Sequence, residues 1–241
     1  MLLGEELVLL LLDDDKGTWL IRRRALPRAV RVALLVELLA RRTVALDDSG
    51  VLVAGLSGTT GGDQVLERVA KDVQGKQVIA ATDAPDSEVR ALLRRLRDRG
   101  VLRRGLLRRR RHLARDHQPE AAVRARVLEA LQVELRPDRH TALLVALVYE
   151  LDLLERLFPG RDHLALSMRA ATITSQLRED QHYFPTTLEQ DAAEQARAAG
   201  DPGLVLDGIG AAFEVLEAVG MLLELATLPL RVVGKILEEL P

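Results

Sequence analysis

The sequence predicts a single, mainly α-helical globular domain with short β-hairpins, one of them basic. Three observations carry this. Apolar residues recur at helical spacing in the longer segments, as in Val89, Leu92, Leu93 and Leu96. Strand-like pieces are only three or four residues long and sit beside turn residues. The 241 residues suit one domain over 1–241, with no internal repeat and no linker long enough to divide it.

The elements follow in order. Leu7–Leu12 is an apolar run stopped by the turn cluster Asp13-Asp14-Asp15-Lys16-Gly17. Trp19–Ile21 reads as a short strand. Pro27 suits the first turn of a helix running to about Arg42, with Val30, Leu34 and Leu38 inward. Thr43–Leu46 and Val51–Ala54 flank Asp47-Asp48-Ser49-Gly50 as a hairpin, and Asp63 caps a helix over Gln64–Val73. The next helix starts near Asp83 or Ser87 and ends at Gly100. It sets Arg90, Arg94 and Arg97 on a face away from its apolar stripe, and a small wing over 101–110 follows it. Glu120–Leu135 and Asp138–Phe158 are predicted as two helices. The run Ala142–Tyr149 is apolar on every side and marks a central core helix. His163–Glu179, Thr187–Ala199, Leu204–Leu225 and Leu228–Leu240 complete a helical remainder over 160–241.

Composition narrows the function. Hydrophobic residues make up 48% of the chain, which excludes intrinsic disorder, and the absence of cysteine excludes disulfide scaffolds and cysteine-ligated metals. Aromatics at 2% argue against a base-stacking nucleic-acid surface. The start Met1-Leu-Leu-Gly-Glu5-Glu6 lacks a basic signal region, and no stretch of ~18 residues is free of charge. The chain therefore reads as cytoplasmic. The net charge of −2 conceals an asymmetry: residues 90–116 hold twelve arginines against two aspartates, so the rest of the chain is acidic. Such a polarised charge implies an anionic partner.

Catalytic motifs are wanting, and no enzyme is predicted. Gly58-Thr-Thr-Gly-Gly-Asp63 lacks the Lys-Ser/Thr of a phosphate loop, and Gly55-Leu-Ser57-Gly-Thr59 breaks the nucleophile-elbow spacing. His112, His117, His140, His163 and His182 have no metal-ligand spacing and read as surface residues; no metal or cofactor is expected. Glu150, Asp152 and Glu155 read as the solvent edge of the core helix.

Several segments, in order, resemble the Golgi phosphoprotein 3 family. Leu3-Gly-Glu5-Glu6-Leu-Val-Leu-Leu-Leu-Leu12-Asp13 is similar to its opening Leu-x-Glu-Glu-x-Leu-Leu-Leu. Arg31-Val-Ala-Leu-Leu-Val-Glu37-Leu-Leu-Ala-Arg41, Thr60-Gly-Gly-Asp63-Gln-Val-Leu-Glu67, Leu96-Arg-Asp-Arg-Gly100-Val-Leu and Leu143-Leu-Val-Ala-Leu-Val-Tyr149 resemble later family segments. The resemblance is clearest over 3–158, and the arginine-rich, lysine-poor composition suits a bacterial member. It implies a peripheral membrane protein without catalysis, an adaptor binding phosphatidylinositol 4-phosphate and sorting membrane-protein clients.

The resemblance also implies a headgroup pocket of one tryptophan and three arginines. Arg31 matches the early-helix arginine without a gap. The tryptophan position falls on Arg22, with Trp19 three residues earlier. The two later arginine positions fall on Asp86 and Val89, beside Arg90 and Arg94. The following hairpin would contact the membrane through Arg103, Arg104, Leu106, Leu107 and Arg108, and would support self-association. The expected site is therefore Arg31, Arg90, Arg94, Arg22 and Trp19, facing an anionic membrane surface or a phosphoinositide. Two alternatives stand beside it: Arg31 as a structural ion pair with a carboxylate such as Glu37 or Asp98, and a nucleic-acid-binding function for the arginine-rich helix and hairpin over 87–116. Four arginines near an anionic leaflet would contribute ~4 kcal/mol, weak and salt-sensitive unless Leu106 and Leu107 insert.

Overall fold

In the computed structural model, the described residues are 1–13, 18–47, 51–55, 60–104, 112–114 and 118–179. They form a helical body bordered by two-stranded antiparallel pairs. The apolar opening run is a helix, α1 (Leu3–Leu10), and every one of its residues is buried. Around it pack α2 (Leu26–Ala40), α5 (Asp86–Asp98), α6 (Gln118–Gln132) and α7 (Arg139–Glu150). Close approach is possible because Gly4 has no side chain. A Cβ there would lie 3.0 Å from Leu34 Cδ2 and 3.1 Å from Leu92 Cδ1, so α1 wedges between α2 and α5.

Between α1 and α2, β1 (Leu12–Asp13) pairs with β2 (Thr18–Trp19), with Leu12 opposite Trp19. The strand thus falls on Thr18–Trp19 rather than Trp19–Ile21. Pro27 sits in the first turn of α2 as expected. The predicted hairpin is present as β3 (Val44–Leu46) and β4 (Leu52–Ala54). In α3 (Gln64–Val73), Asp63 caps the N-terminus by accepting from the N–H groups of Val65 and Leu66. A short helix, α4 (Val78–Ala81), precedes α5 and has no counterpart among the predicted elements.

The basic hairpin exists, but its second strand lies further along than the wing over 101–110. β5 (Leu102–Arg104) pairs with β6 (His112–Ala114), Leu102 opposite Ala114 and Arg104 opposite His112. Buried Leu102 anchors this hairpin at the end of α5.

The predicted core helix is divided. α7 stops at Glu150, and α8 (Leu154–Leu157) begins after a turn in which Asp152 has φ 53°. Here Leu153 N–H donates to the Val148 carbonyl and Asp152 N–H to that of Tyr149, a pair of bonds that closes a helix C-terminus. The same pair closes α2 through Arg42 and Thr43, and α5 through Gly100 and Val101. Only the last uses glycine, so the other two stops lacked the usual signal. The run 142–148 is buried throughout, as expected of a core helix. α9 (His163–Glu179) packs along α7, burying Leu166, Ala170, Ile173 and Leu177. The helices predicted over 187–199, 204–225 and 228–240 lie outside the described residues.

Candidate functional site

Arg31 lies in the first half of α2, where that helix meets the C-terminal half of α3 and the first turn of α5. Its side chain is 1% exposed. Nη2 lies 2.9 Å from Asp72 Oδ2 and 2.7 Å from Glu88 Oε1, and Lys76 Nζ sits 3.0 Å from the other oxygen of Asp72. This guanidinium is the buried centre of an ion-pair network. Its partners are Asp72 and Glu88, not Glu37 or Asp98. Glu37 instead bonds Arg41 and accepts from the Leu3 N–H at 2.6 Å. Arg31, first among the expected headgroup residues, is buried and paired with two carboxylates from neighbouring helices, the arrangement of the alternative reading of it as a structural ion pair.

The carboxylates respond differently to this setting. Burial pushes Glu88 up to about 7 against Arg31's opposing charge, and the neighbouring charge of Asp72 adds to the rise. Burial also opposes ionisation of Asp72, but hydrogen bonds from Lys76 and Arg31 outweigh it and hold that carboxyl below its ordinary value. Asp72 is half exposed, so water supports its charge where Glu88 has little.

The arginine-rich helix is not uniformly a surface feature. Arg95 faces inward. Its Nη1 donates to both oxygens of Asp63 at 2.9 and 2.7 Å, and its Nε lies 3.1 Å from Glu5 Oε1. Arg99 Nη1 reaches Glu5 Oε2 at 3.0 Å. Asp63 thus serves both as the cap of α3 and as a tie to α5. Burial works against its charge, but the bond from Arg95 and the α3 N–H groups hold its carboxyl below the ordinary value.

The adjacent Glu6 pairs with Arg126 of α6 and lies 3.0 Å from Nε2 of His140 in α7. The paired glutamates of α1 therefore reach different neighbours, Glu5 the basic side chains at α5 and Glu6 those of α6 and α7. Sequence reasoning assigned them no role. The signal was two consecutive acids inside an apolar run, which are affordable only with partners. His140, partly exposed, faces buried Glu6, and Glu150 is buried rather than at a solvent edge.

Other arginines face water. Arg22, Arg23 and Arg24 are exposed in the turn before α2, and Arg90 and Arg94 are exposed one turn apart on α5. No ion pair holds Arg22, Arg23, Arg24 or Arg94 among the described residues. Arg90 donates only to the Asp86 carbonyl of its own helix, at 3.3 Å. Trp19 is half-buried and packs against the core beside this turn. Of the two positions aligned with the later headgroup arginines, Asp86 opens α5 and Val89 is buried in the core. Leu106, Leu107 and Arg108 lie outside the described residues, as do the side chains of Arg103 and Arg104. No group of metal-ligating side chains is present among the described residues, and none of their helices is long and apolar enough to cross a membrane.

A protein-family model described as Golgi phosphoprotein 3 (GPP34) matches residues 3–202. The chain belongs to the Golgi phosphoprotein 3 family. The match continues well past residue 158, where the sequence resemblance was clearest, and takes in all of α9. No curated protein matches the chain. Within this Golgi phosphoprotein 3 family member, four of the segments that carried the resemblance converge on ion-pair networks. The opening helix supplies Glu5 and Glu6, the early helix Arg31 and Glu37, the loop before α3 supplies Asp63, and α5 supplies Arg99.

Proposed function

We propose that this Golgi phosphoprotein 3 family member is a peripheral, non-catalytic adaptor that docks on anionic phospholipid headgroups through its water-facing arginines. Arg22 with Trp19 forms one contact and Arg90 with Arg94 the other, and the basic hairpin carrying Arg103 and Arg104 extends the surface. Phosphatidylinositol 4-phosphate is the headgroup that the family resemblance implies, and a membrane-protein client is the implied cargo. One observation carries this reading: the fold pairs Arg31, Arg95 and Arg99 with carboxylates, yet leaves Arg22–Arg24 and Arg94 without one among the described residues. A planar guanidinium donates two parallel hydrogen bonds to a phosphate, so unpaired arginines at a surface favour that ligand.

Vesicle sedimentation tests it. Binding to vesicles with anionic lipid should exceed binding to neutral phosphatidylcholine vesicles and should weaken with salt. Replacing Arg90 and Arg94 with alanine should lower the affinity about fivefold per residue, the equivalent of ~1 kcal/mol each. A preference for phosphatidylinositol 4-phosphate over phosphatidylserine at equal charge would support the specific headgroup. Retention of duplex DNA without vesicle binding in the same buffer would overturn the lipid reading in favour of nucleic acid.

A further inference from the structure

The junction of α2, α3 and α5 brings two carboxylates to one buried cation. Arg31 Nη2 meets Asp72 Oδ2 at 2.9 Å and Glu88 Oε1 at 2.7 Å. The two acids are not equivalent. Asp72 is half exposed, and its second oxygen holds Lys76 at 3.0 Å. Glu88 is mostly buried, and its second oxygen has no hydrogen-bond partner among the described residues. Two carboxylates that share one cation do not ionise with equal ease, and the more buried, less bonded one keeps the proton. This geometry makes Glu88 the first of the pair to take up a proton as pH falls, in keeping with the burial that pushes it up to about 7.

The charged groups that face Glu88 are Arg31 from α2, Asp72 from α3 and Lys76 just past the end of α3. α1, which also packs on α5, turns its glutamates elsewhere: Glu5 to Arg95 and Arg99, Glu6 to Arg126 and His140. On α5 itself, Asp86 and Arg90 flank Glu88 in sequence and are exposed. With Glu88 ionised, the two cations and two anions of the junction cancel. With Glu88 protonated, one positive charge is left over.

This change takes place beside the proposed docking arginines. At ~1.5 Å of rise per residue, Glu88 lies ~3 Å along α5 from exposed Arg90 and ~9 Å from exposed Arg94. The Debye length at physiological salt is ~8 Å, so over these distances the charge is only partly screened. A phosphate held by Arg90 or Arg94 is thus within range of the proton at Glu88.

Building on the docking reading above, we propose that this junction is a proton-operated charge switch, in which proton uptake at Glu88 turns it net positive and tightens docking of Arg90 and Arg94 on anionic phospholipid. Docking then weakens as pH rises through the neutral range, with no rearrangement of the helices.

Sedimentation of the full-length protein with mixed phosphatidylcholine and phosphatidylglycerol vesicles, from pH 6 to pH 8, tests this switch. The phosphodiester of phosphatidylglycerol keeps its charge throughout, so the lipid itself does not titrate. Wild-type affinity should fall about two- to fivefold across the range, the effect of up to one basic charge near an anionic leaflet. Glu88→Gln should bind at every pH as tightly as wild type does at pH 6. Asp72→Asn removes the neighbouring negative charge that favours the Glu88 proton, and should move the midpoint of the affinity change to lower pH. A Glu88→Gln profile that falls in parallel with wild type would overturn the proposal, as would a wild-type affinity that does not change with pH. Should Glu88→Gln fail to fold by circular dichroism, the Asp72→Asn midpoint decides, and an unmoved midpoint overturns the switch. Absence of wild-type vesicle binding even at pH 6 would instead overturn the docking reading itself.

Discussion

Replacing Glu88 with glutamine isolates a carboxylate that the fold moves into the neutral range. Its side chain is 12% exposed and shares Arg31 with Asp72, and burial lifts it from an ordinary 4.5 to about 7. That gap corresponds to about 3 kcal/mol. The sign follows from proton counting. Between 4.5 and about 7 the folded chain holds a proton at Glu88 that the unfolded chain has lost. The contribution is therefore fully present below 4.5 and is lost as pH rises through about 7. Asp72 and Asp63, held below 3.8, act in the opposite sense: their stabilisation is lost as pH falls below that value, outside this window. Glutamine keeps an oxygen that accepts from Arg31 but cannot ionise. Urea unfolding followed by circular dichroism from pH 4.5 to 8 measures the difference. Wild-type stability should fall by about 2–3 kcal/mol relative to Glu88→Gln across the window. Parallel curves, agreeing within about 0.5 kcal/mol at every pH, would refute the placement of Glu88 in a buried, charge-crowded site.

Two further substitutions probe the same networks. Arg31→Met should destabilise by about 3–5 kcal/mol because it strands Glu88, and should leave vesicle affinity of the folded protein unchanged; urea midpoints and sedimentation measure the two effects. Glu5→Gln removes the charge that Arg95 and Arg99 share. It should cost on the order of 3 kcal/mol, seen as a lowered urea midpoint with an unchanged m-value.

The periodic pattern alone settled the kind of fold. The apolar stripe of α5, the cap at Asp63, the proline in the first turn of α2 and the hairpin around residues 47–50 are local devices. Each satisfies its own backbone groups within a few residues, so a reader of the sequence meets the whole cause at once. The end of α2 near Arg42 was legible, but the helix stop at Asp152 was not. At both, ordinary side chains adopt a left-handed conformation because buried Leu151 and Leu153, and the strand after Thr43, fix where the chain must go. The candidate site divides in the same way. A basic segment over 90–116 is a sum over residue types, and the sequence states it. Which arginines remain for a ligand depends on carboxylates 32 to 94 residues away in sequence, such as Asp63 for Arg95 and Glu5 for Arg99. Arg31 resembled a ligand because its position in the sequence matched one. Asp72 and Glu88, brought to it from two other helices, made it a structural centre. Charge pairing falls off with distance in space, not along the chain, so only the packing of α1, α2, α3 and α5 decided which cations still face water.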